Sequence, residues 1–215
     1  MKKVLVLAAH PDDETLGCGG TIHKLYREGH KIQLLTFTDG ESSRGVNKRN
    51  RNNLLSLVSD ILGIENHSSS NFPDNAMDSI PLLKLCKFIE SEVEDLPDMI
   101  FTHFQDDLNV DHKLVAKATF TVFRPQFGKE VELYSYYIPS STDYNPTANF
   151  CANTFFKLSK VDIDKKIQAL ELYDKEMRDY PHSRSYQNII NLSKVWGSEI
   201  GAEFSEKFIC QRLIR

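Results

Sequence analysis

The apolar residues in the first half of the chain form short continuous runs, and these runs alternate with stretches of helical periodicity. Continuous runs over residues 4–9, 31–38 and 99–104 are typical of strands that are buried on both faces. Apolar residues at helical spacing over 15–27 and 54–62 predict amphipathic helices between them. Strands that alternate with helices indicate βαβ units. We therefore predict an α/β, Rossmann-like, three-layer fold around a mostly parallel central sheet.

Turn and capping residues place the ends of the later elements. One helix is predicted to begin near Ser79, with Pro81 in its first turn. Another is predicted to start at a cap formed by Asp111 and to end at Arg124. Beyond residue 125 we predict strands over 131–138 and 155–158, two helical stretches within 162–200 and a last strand over 207–214. We expect one domain over 1–215, in which 1–125 form the parallel core and 126–215 complete the pocket.

Composition excludes several classes of protein. The 215 residues include 26 Lys and Arg against 30 Asp and Glu, and the net charge of −4 gives no electrostatic reason to expect a nucleic-acid partner. The four cysteines are far apart and are expected to be reduced. No run approaches the roughly 20 apolar residues of a membrane span, and the first apolar run is too short for a signal peptide. We therefore expect a cytoplasmic protein without a membrane span.

The segment His10-Pro11-Asp12-Asp13-Glu14 follows the first predicted strand directly. In an open parallel sheet, the loops beyond the carboxyl ends of the strands line the ligand crevice. Carboxylates crowded into one such turn repel each other, and a divalent cation removes that repulsion. Because His10 and Asp13 flank a turn that contains proline, both can reach one metal ion. The alternative is that these acids only complement the positive end of a helix dipole.

A second acidic loop, from Gln105 to His112, follows the strand predicted over 99–104 and is expected in the same crevice. His112 would supply a third ligand. Two imidazoles and one carboxylate with an open position form the ligand set of catalytic zinc in hydrolases. Such a zinc ion lowers the pKa of its bound water to about 7 and polarises a carbonyl oxygen. We predict one Zn²⁺ per chain, with another divalent metal as the alternative.

Residues 9–14, Ala-His-Pro-Asp-Asp-Glu, resemble the signature of the zinc-dependent LmbE/PIG-L N-deacetylases, which remove acetyl groups from N-acetylglucosamine units. The resemblance extends to short strings over 38–41, 73–75, 102–103 and 111–112, and more weakly to 180–182. It covers roughly the first 125 residues. The resemblance implies that His10, Asp13 and His112 bind the metal and that Asp12 is the general base.

The residues also fit amide hydrolysis without the resemblance. Asp12 can take a proton from a metal-bound water while its neighbour Asp13 binds the metal. Asp111, next to His112, is predicted either to orient the imidazole of His112 or to cap the helix.

One position departs from the commonest pattern of the family. Many relatives carry a histidine three residues before the last ligand, where it is thought to stabilise the oxyanion, and this chain has Asn109 there. The amide of Asn109 can donate a hydrogen bond to an oxyanion but cannot carry a proton. The general acid is then Asp12 after protonation or, as a second candidate, His182.

Substrate contacts are expected from the loops. Arg44 and Arg49 belong to a basic run at the start of a helix, where cations are mildly unfavourable, so they are candidates to bind a phosphate of the substrate. A solvated helix face is the alternative for this run. By the resemblance, Glu41 and Asp74 bind sugar hydroxyls.

These observations predict a metal-dependent deacetylase whose partner is a small amino-sugar substrate, as a glycoside, nucleotide sugar or glycolipid. Relatives often assemble, so a homo-oligomer is an expectation as well. Three alternatives stay open: an amidase that removes a larger acyl group, a Rossmann-type nucleotide-binding enzyme and a metal-binding module without turnover. Gly17, Gly19 and Gly20 suggest the nucleotide enzyme, but their spacing is not GxGxxG and the acidic turn before them would repel a pyrophosphate. Asn109 motivates the module without turnover.

Overall fold

One seven-stranded sheet takes strands from both parts of the chain. The computed structural model describes residues 1–40, 51–125 and 130–214. The strands are β1 Lys3–Ala8, β2 Lys31–Thr38, β3 Asn66–Phe72, β4 Met99–His103, β5 Glu132–Tyr136, β6 Thr154–Leu158 and β7 Phe204–Arg212. Their order is β3-β2-β1-β4-β5-β7-β6. The first five strands pair in parallel and β7 pairs antiparallel with β5 and β6, which confirms the predicted α/β class.

Helices cover both faces of the sheet. They are α1 Asp13–Arg27, α2 Arg51–Leu62, α3 Leu82–Glu92, α4 Val110–Val122, α5 Lys160–Leu172 and α6 Tyr186–Ser198. α1, α2 and α5 pack together on one face, and α3 packs with α4 on the other. Within the described ranges, none of the helices combines the length and the apolar character that crossing a membrane requires.

The continuous apolar run of β1 separates two hydrophobic cores. Val4 and Val6 face the core beneath α1, α2 and α5, whereas Leu5 and Leu7 face the core beneath α3 and α4. All four side chains are buried. Burial of one such side chain stabilises the fold by about 1.5–3 kcal/mol, so both faces of this strand hold the layers together.

The strand order reverses beside β1. The chain leaves β1 to build β2 and β3 on one side, and it then crosses back to place β4 on the other side of β1. Ligands of open α/β sheets bind at such switch points, in the crevice beyond the carboxyl ends of the strands. The loop with the first acidic segment and the loop that precedes α4 therefore open into the same crevice.

Buried charges fix α1, whose first turn carries the acidic segment. The helical conformation is interrupted at Cys18. The carboxylate of Glu206 in β7 accepts hydrogen bonds from the backbone N–H groups of Gly20 and Thr21 at 3.1 and 2.7 Å. Lys166 of α5 lies 2.6 Å from the same carboxylate. Because a buried charge without a partner is strongly destabilising, these contacts hold the interrupted helix in one position.

A second carboxylate ties α5 to α1. Both oxygens of Asp162 accept hydrogen bonds from Arg27, at 3.0 and 2.9 Å, and Oδ1 lies 2.8 Å from Nδ1 of His23. Asp162 also closes a capping box with Ser159 at the start of α5. Burial raises the pKa of Asp162, but the hydrogen bonds from Arg27 and Ser159 outweigh burial and lower the pKa to about 2.

One strand was not predicted, and one predicted helix begins at a different residue. β3 was not predicted, because Asn66–Phe72 is mostly polar; it pairs with β2 at the edge of the sheet, where polar side chains face solvent. The helix predicted from Ser79 begins instead at Leu82. Pro81 precedes its first turn with extended backbone angles, and a separate 3-10 turn ends at Ser79.

Candidate active site

Three side chains from the loop after β1 and from the first turns of α1 and α4 face one point. Nδ1 of His10 lies 3.1 Å from Oδ2 of Asp13, and Nε2 of His112 lies 3.3 Å from the same oxygen. The two imidazole rings are 5.4 Å apart between their centroids. The side chains of Asp13 and His112 are each 1% exposed, and that of His10 is 12% exposed. The structure thus brings together the three residues that were predicted as metal ligands.

Asp111 and Asp74 hold the second nitrogen of His10. Nε2 of His10 lies 3.2 Å from Oδ2 of Asp111 and 3.2 Å from Oδ1 of Asp74. Asp111 is fixed in turn, because its carboxylate accepts the backbone N–H groups of Asn75 and Met77 at 2.7 and 3.0 Å. The prediction that Asp111 orients His112 is therefore wrong. The backbone of the loop after β3 holds the carboxylate of Asp111 toward His10 instead.

Asp107 is the carboxylate that orients His112. Its Oδ1 lies 3.0 Å from Nδ1 of His112 and accepts the backbone N–H of Asn109 at 2.9 Å. The hydroxyls of Ser141 and Thr142, just beyond β5, also donate to this carboxylate. Burial raises the pKa of Asp107, but the hydrogen bond from His112 is the first of several that lower it to about 2. Asp107 was not singled out from the sequence, although it stands in the acidic loop before α4.

His103 supports the cluster from the end of β4. Its ring stacks on the ring of His112, with 4.0 Å between the centroids. Nε2 of His103 accepts the backbone N–H of Ala9 at 2.9 Å, which fixes the start of the first loop. Burial and the neighbouring His112 keep the pKa of His103 well below its usual value. His103 is therefore a neutral packing residue.

The pKa values of the cluster reflect charges in close contact. Burial raises the pKa of Asp13, but the imidazoles of His112, His103 and His10 outweigh burial and hold it well below its usual range. Burial lowers the pKa of His112, but Asp13 and the hydrogen bond to Asp107 raise it to about 9. Burial also lowers the pKa of His10. Its carboxylate neighbours, of which Asp13 has the largest effect, outweigh burial and raise this pKa well above its usual value. The carboxylates therefore stabilise positive charge between them.

The donor set fits a divalent cation. Oδ1 of Asp13 is buried and has no hydrogen-bond partner among the described residues. Such an oxygen is costly to bury unless positive charge satisfies it. His10 and His112 each turn one nitrogen toward Asp13 and the other toward a carboxylate, which is how proteins orient histidine ligands of metals. His10, Asp13 and His112 would hold the ion, as catalytic zinc sites do with three protein ligands.

Asp12 lies beside these three residues in a strained backbone conformation. Its φ of 134° lies in a region that residues with side chains rarely adopt. The carboxylate of Glu14 accepts the backbone N–H of Asp12 at 3.1 Å, and Nη1 of Arg184 lies 3.2 Å from Oδ2 of Asp12. Burial raises the pKa of Asp12 to about 7, against the opposing charge of Arg184. A carboxylate with a pKa near neutral pH is suited to accept and return a proton.

Asn109 is the N-cap of α4. The alternative prediction, that Asp111 caps this helix, is therefore wrong as well. Oδ1 of Asn109 accepts the backbone N–H of Asp111 at 2.8 Å, and Nδ2 donates to Oδ1 of Asn75 at 3.0 Å. Both ends of the amide are thus engaged with protein groups. The side chain still lines the crevice, and its role toward an oxyanion stays a prediction.

His182 is not brought to the cluster. It lies outside the set of residues that line the cavity described below, and its ring packs edge-on against Tyr144 at 6.2 Å between centroids. Its Nδ1 accepts the backbone N–H of Arg184 at 3.0 Å. His182 therefore shapes the loop that carries Arg184, and the geometry does not support it as the general acid.

A cavity of about 100 Å³ lies above the cluster. It is lined by His10, Asp12, Asp13, Gly40, Asp74, Asn75, Asn109, His112, Glu176 and Arg184. Asp74 is thus placed where a substrate would lie, and its contact with a sugar stays a prediction. The other predicted substrate residues, Glu41, Arg44 and Arg49, lie outside the described residues.

Sequence reasoning missed Glu176 and Arg184 as cavity residues. Both come from the segment between α5 and α6, far along the chain from the acidic segment. The only sequence signal was that Arg184 stands in the same proline-containing loop as His182. Which side chain of that loop enters the crevice depends on how the loop folds.

The fold and the site together define an α/β protein with a cluster of two histidines and one aspartate, a candidate metal site, at the switch point of its sheet. The model of the PIG-L family, described as GlcNAc-PI de-N-acetylase, matches residues 5–123. The chain belongs to this family. The resemblance drawn from the sequence is thereby confirmed, together with the class of deacetylase hydrolases that it implies.

Two curated relatives illustrate the similarity. The uncharacterized deacetylase YaiS of Escherichia coli K12 is 30% identical over 131 residues, which cover 57% of this chain and 69% of that protein. A 1D-myo-inositol 2-acetamido-2-deoxy-alpha-D-glucopyranoside deacetylase of Gordonia bronchialis is 46% identical over 46 residues. That second match spans 21% of this chain and only 16% of the length of the relative.

Solved structures share the fold over almost the whole chain. The conserved protein TT1542 of Thermus thermophilus has a TM-score of 0.78 at 23% identity, with 100% of this chain and 97% of that chain covered. An N,N'-diacetylchitobiose deacetylase of Pyrococcus horikoshii has a TM-score of 0.73 at 20% identity, with 96% and 82% covered. GalB, a 4-carboxy-2-hydroxymuconate hydratase of Pseudomonas putida KT2440, has a TM-score of 0.68 at 18% identity, with 100% and 99% covered. Because deacetylases and a hydratase share it, the fold alone does not specify the reaction.

Proposed function

We propose that the protein is a zinc-dependent hydrolase that removes the acetyl group from an N-acetylated amino sugar. One observation carries the proposal: His10, Asp13 and His112 converge on one point, with the carboxylate of Asp12 beside them. Membership of a family of de-N-acetylases supports the same reaction.

The proposed reaction converts an acetamide and water into a free amine and acetate. When bound, the cation supplies a Lewis acid that acidifies a coordinated water and polarises the acyl carbonyl. Asp12 accepts the proton that the attacking water loses and returns it to the nitrogen as the C–N bond breaks, so that one residue serves as base and then as acid.

The proposed substrate is a small, polar acetylated amino sugar, and two features support this choice. Carboxylates of Asp12, Asp74 and Glu176, among the residues that line the cavity, can accept hydrogen bonds from sugar hydroxyls. Two proteins similar to this chain carry acetylated amino sugars in their names.

Acetate release across a panel of N-acetylated amino sugars tests the function. We expect turnover by the zinc-loaded protein, loss of turnover after chelation and recovery when zinc is returned. Asp12→Asn should lower kcat by about 100- to 10,000-fold while zinc content is unchanged, because only the proton acceptor is removed. Asp106→Asn, an exposed change in the acidic loop, is the matched control.

Other outcomes would select the alternatives. Release of longer acids in preference to acetate would indicate an amidase for larger acyl groups. Binding of a dinucleotide by chelated protein would indicate a nucleotide enzyme. Zinc binding without turnover of any amide would indicate a binding module, and the deacetylase proposal would then fail.

A further inference from the structure

The positive charge that faces the cavity comes from a part of the chain outside the metal cluster. Among the described residues that line the cavity, Arg184 is the one lysine or arginine. It shares this lining with three carboxylates that are not predicted ligands, those of Asp12, Asp74 and Glu176. The side chain of Arg184 is 18% exposed, so it is largely withdrawn from solvent.

Two contacts beyond β5 fix the guanidinium of Arg184. Nε donates to Oγ of Ser140 at 2.7 Å and to the carbonyl oxygen of Pro139 at 3.2 Å. The backbone of Arg184 is held as well, because its N–H donates to Nδ1 of His182 at 3.0 Å. A side chain anchored at Nε and at its backbone keeps the plane of its terminal nitrogens in one orientation.

The terminal nitrogens of that plane face Asp12. Nη1 of Arg184 lies 3.2 Å from Oδ2 of Asp12, whose side chain is 6% exposed. A guanidinium has five N–H donors, and the contacts to Ser140, Pro139 and Asp12 use donors on Nε and Nη1. Donors therefore remain for a ligand in the cavity.

Arg184 has more free donors for an oxyanion than Asn109 has, and its donors belong to a charged group. The oxygen of Asn109 is committed to the cap of α4, and one of the two N–H groups of its Nδ2 donates to Asn75. Any water that Asp12 deprotonates must lie within hydrogen-bond reach of Asp12, and the acyl carbon that this water attacks lies roughly 3–3.5 Å further. Arg184 touches Asp12 and lines the same cavity, so its remaining N–H groups are available on the side where that amide would lie.

We propose that Arg184 is a catalytic residue of this site, which orients the carboxylate of Asp12 and donates a hydrogen bond to the acyl oxygen of the bound amide. The proposal rests on the proposed function, and it assigns the oxyanion donor of the reaction to the loop before α6. No bond to Arg184 forms or breaks; it stays protonated throughout.

The variants are Arg184→Ala and Arg184→Lys, with Arg178→Ala as the matched control. Arg178 lies in the same segment, and its guanidinium donates to the backbone carbonyls of Lys175 and Met177, outside the cavity. We expect Arg184→Ala to lower kcat by about 100- to 1000-fold, as loss of an oxyanion donor does, with KM changed by less than about threefold. Added guanidinium ion, below denaturing concentrations, should restore turnover to Arg184→Ala in a saturable manner and should not activate the wild type. Arg184→Lys should recover only part of the loss, because an ammonium lacks the planar fork.

A second measurement separates this proposal from the proposed function. The acyl oxygen of the amide becomes one of the two carboxylate oxygens of the product acetate. The affinity of acetate for the zinc-loaded protein is therefore measured by calorimetry. We expect acetate to bind roughly tenfold more weakly to Arg184→Ala than to the wild type and to Arg178→Ala, because a charge-assisted hydrogen bond is lost. This readout does not need turnover of any sugar, so a failed search for substrate leaves it intact.

Ser140→Ala provides a second test in case Arg184→Ala does not fold. It keeps Arg184 and removes one of the two acceptors of Nε, since the carbonyl of Pro139 remains, so a smaller loss of kcat and an unchanged melting temperature are expected. The proposal is overturned if Arg184→Ala keeps wild-type kcat, if guanidinium restores nothing to a folded Arg184→Ala, or if acetate binds equally or not at all to both proteins.

Discussion

Replacement of Asp107 tests how the metal site is built, because this buried carboxylate does not touch the predicted ion. It accepts four hydrogen bonds, from Nδ1 of His112, the backbone N–H of Asn109 and the hydroxyls of Ser141 and Thr142. Asp107→Asn keeps the shape of the side chain. Its amide oxygen can still accept from His112 and Asn109, whereas its amide nitrogen must face Thr142. The variant therefore removes the negative charge and leaves the packing.

The expected effect is on metal affinity. Carboxylates behind histidine ligands raise the basicity of the imidazole and fix its tautomer, and their loss costs about 10- to 100-fold in metal affinity. That range equals about 1.4–2.8 kcal/mol of binding free energy. Asp107→Asn should fall near the lower end because the hydrogen bond to Nδ1 persists. Asp107→Ala should fall near the upper end because the acceptor is lost as well.

The assay is zinc affinity, measured by competition with a chromophoric chelator on protein whose melting temperature has been checked. Asp106→Asn is the control, since this neighbour is exposed while Asp107 is fully buried. If both Asp107 variants bind zinc as tightly as the wild type, the reasoning about His112 is refuted. If the alanine and asparagine variants lose equal affinity, the charge matters and the remaining hydrogen bond does not.

Three further predictions address the ligands, the pH dependence of stability and the packing of α1. His112→Ala should abolish stoichiometric zinc binding, whereas His182→Ala should retain the metal by elemental analysis. The reason is that, of these two histidines, only His112 lies in the cluster. Retention of zinc by both variants would count against the site. The folded-state pKa of Asp162 is about 2, below its unfolded value of 3.8, so its ion pair contributes stability above pH 4 that is lost as the pH falls toward 2. Asp162→Asn should therefore be about 2 kcal/mol less stable than the wild type in urea at pH 7, with the difference shrinking toward pH 2, and the exposed Asp164→Asn should show no such trend. Gly17→Ala should destabilise the protein by about 1–3 kcal/mol, since a new Cβ would lie 2.4 Å from a buried ring of β5, and unchanged unfolding would contradict that contact.

Some elements were predictable because their signal is local. The continuous apolar run of β1 matches the burial that the structure shows, and so does the periodic apolar stripe of α2 except at Leu57, which is 50% exposed. β3 gave no such signal, because an edge strand with polar side chains is defined by its pairing with β2 and not by its own residues.

The candidate ligands were also predictable, since strand ends fix where loops emerge. Once β1 and β4 are placed side by side, the loops with His10 and His112 must meet at one edge of the sheet. The supporting carboxylates were not. Asp107 and Asp111 stand in the same acidic loop, and the sequence favoured the residue adjacent to His112. The structure gives that task to Asp107, whose Oδ1 lies 3.0 Å from Nδ1 of His112 and also accepts the backbone N–H of Asn109, the N-cap of α4.

The sequence by itself determined the class of fold, the family and the three side chains that converge, because each of these follows from short-range pattern and strand order. Only the tertiary structure decided what surrounds them. Arg184 is 172 residues from Asp12 along the chain, and no local pattern links the two. Their contact exists because Ser140, from the segment after β5, holds the guanidinium, while His182 holds the backbone of the loop that carries Arg184. Chain periodicity carries no information about contacts of that range.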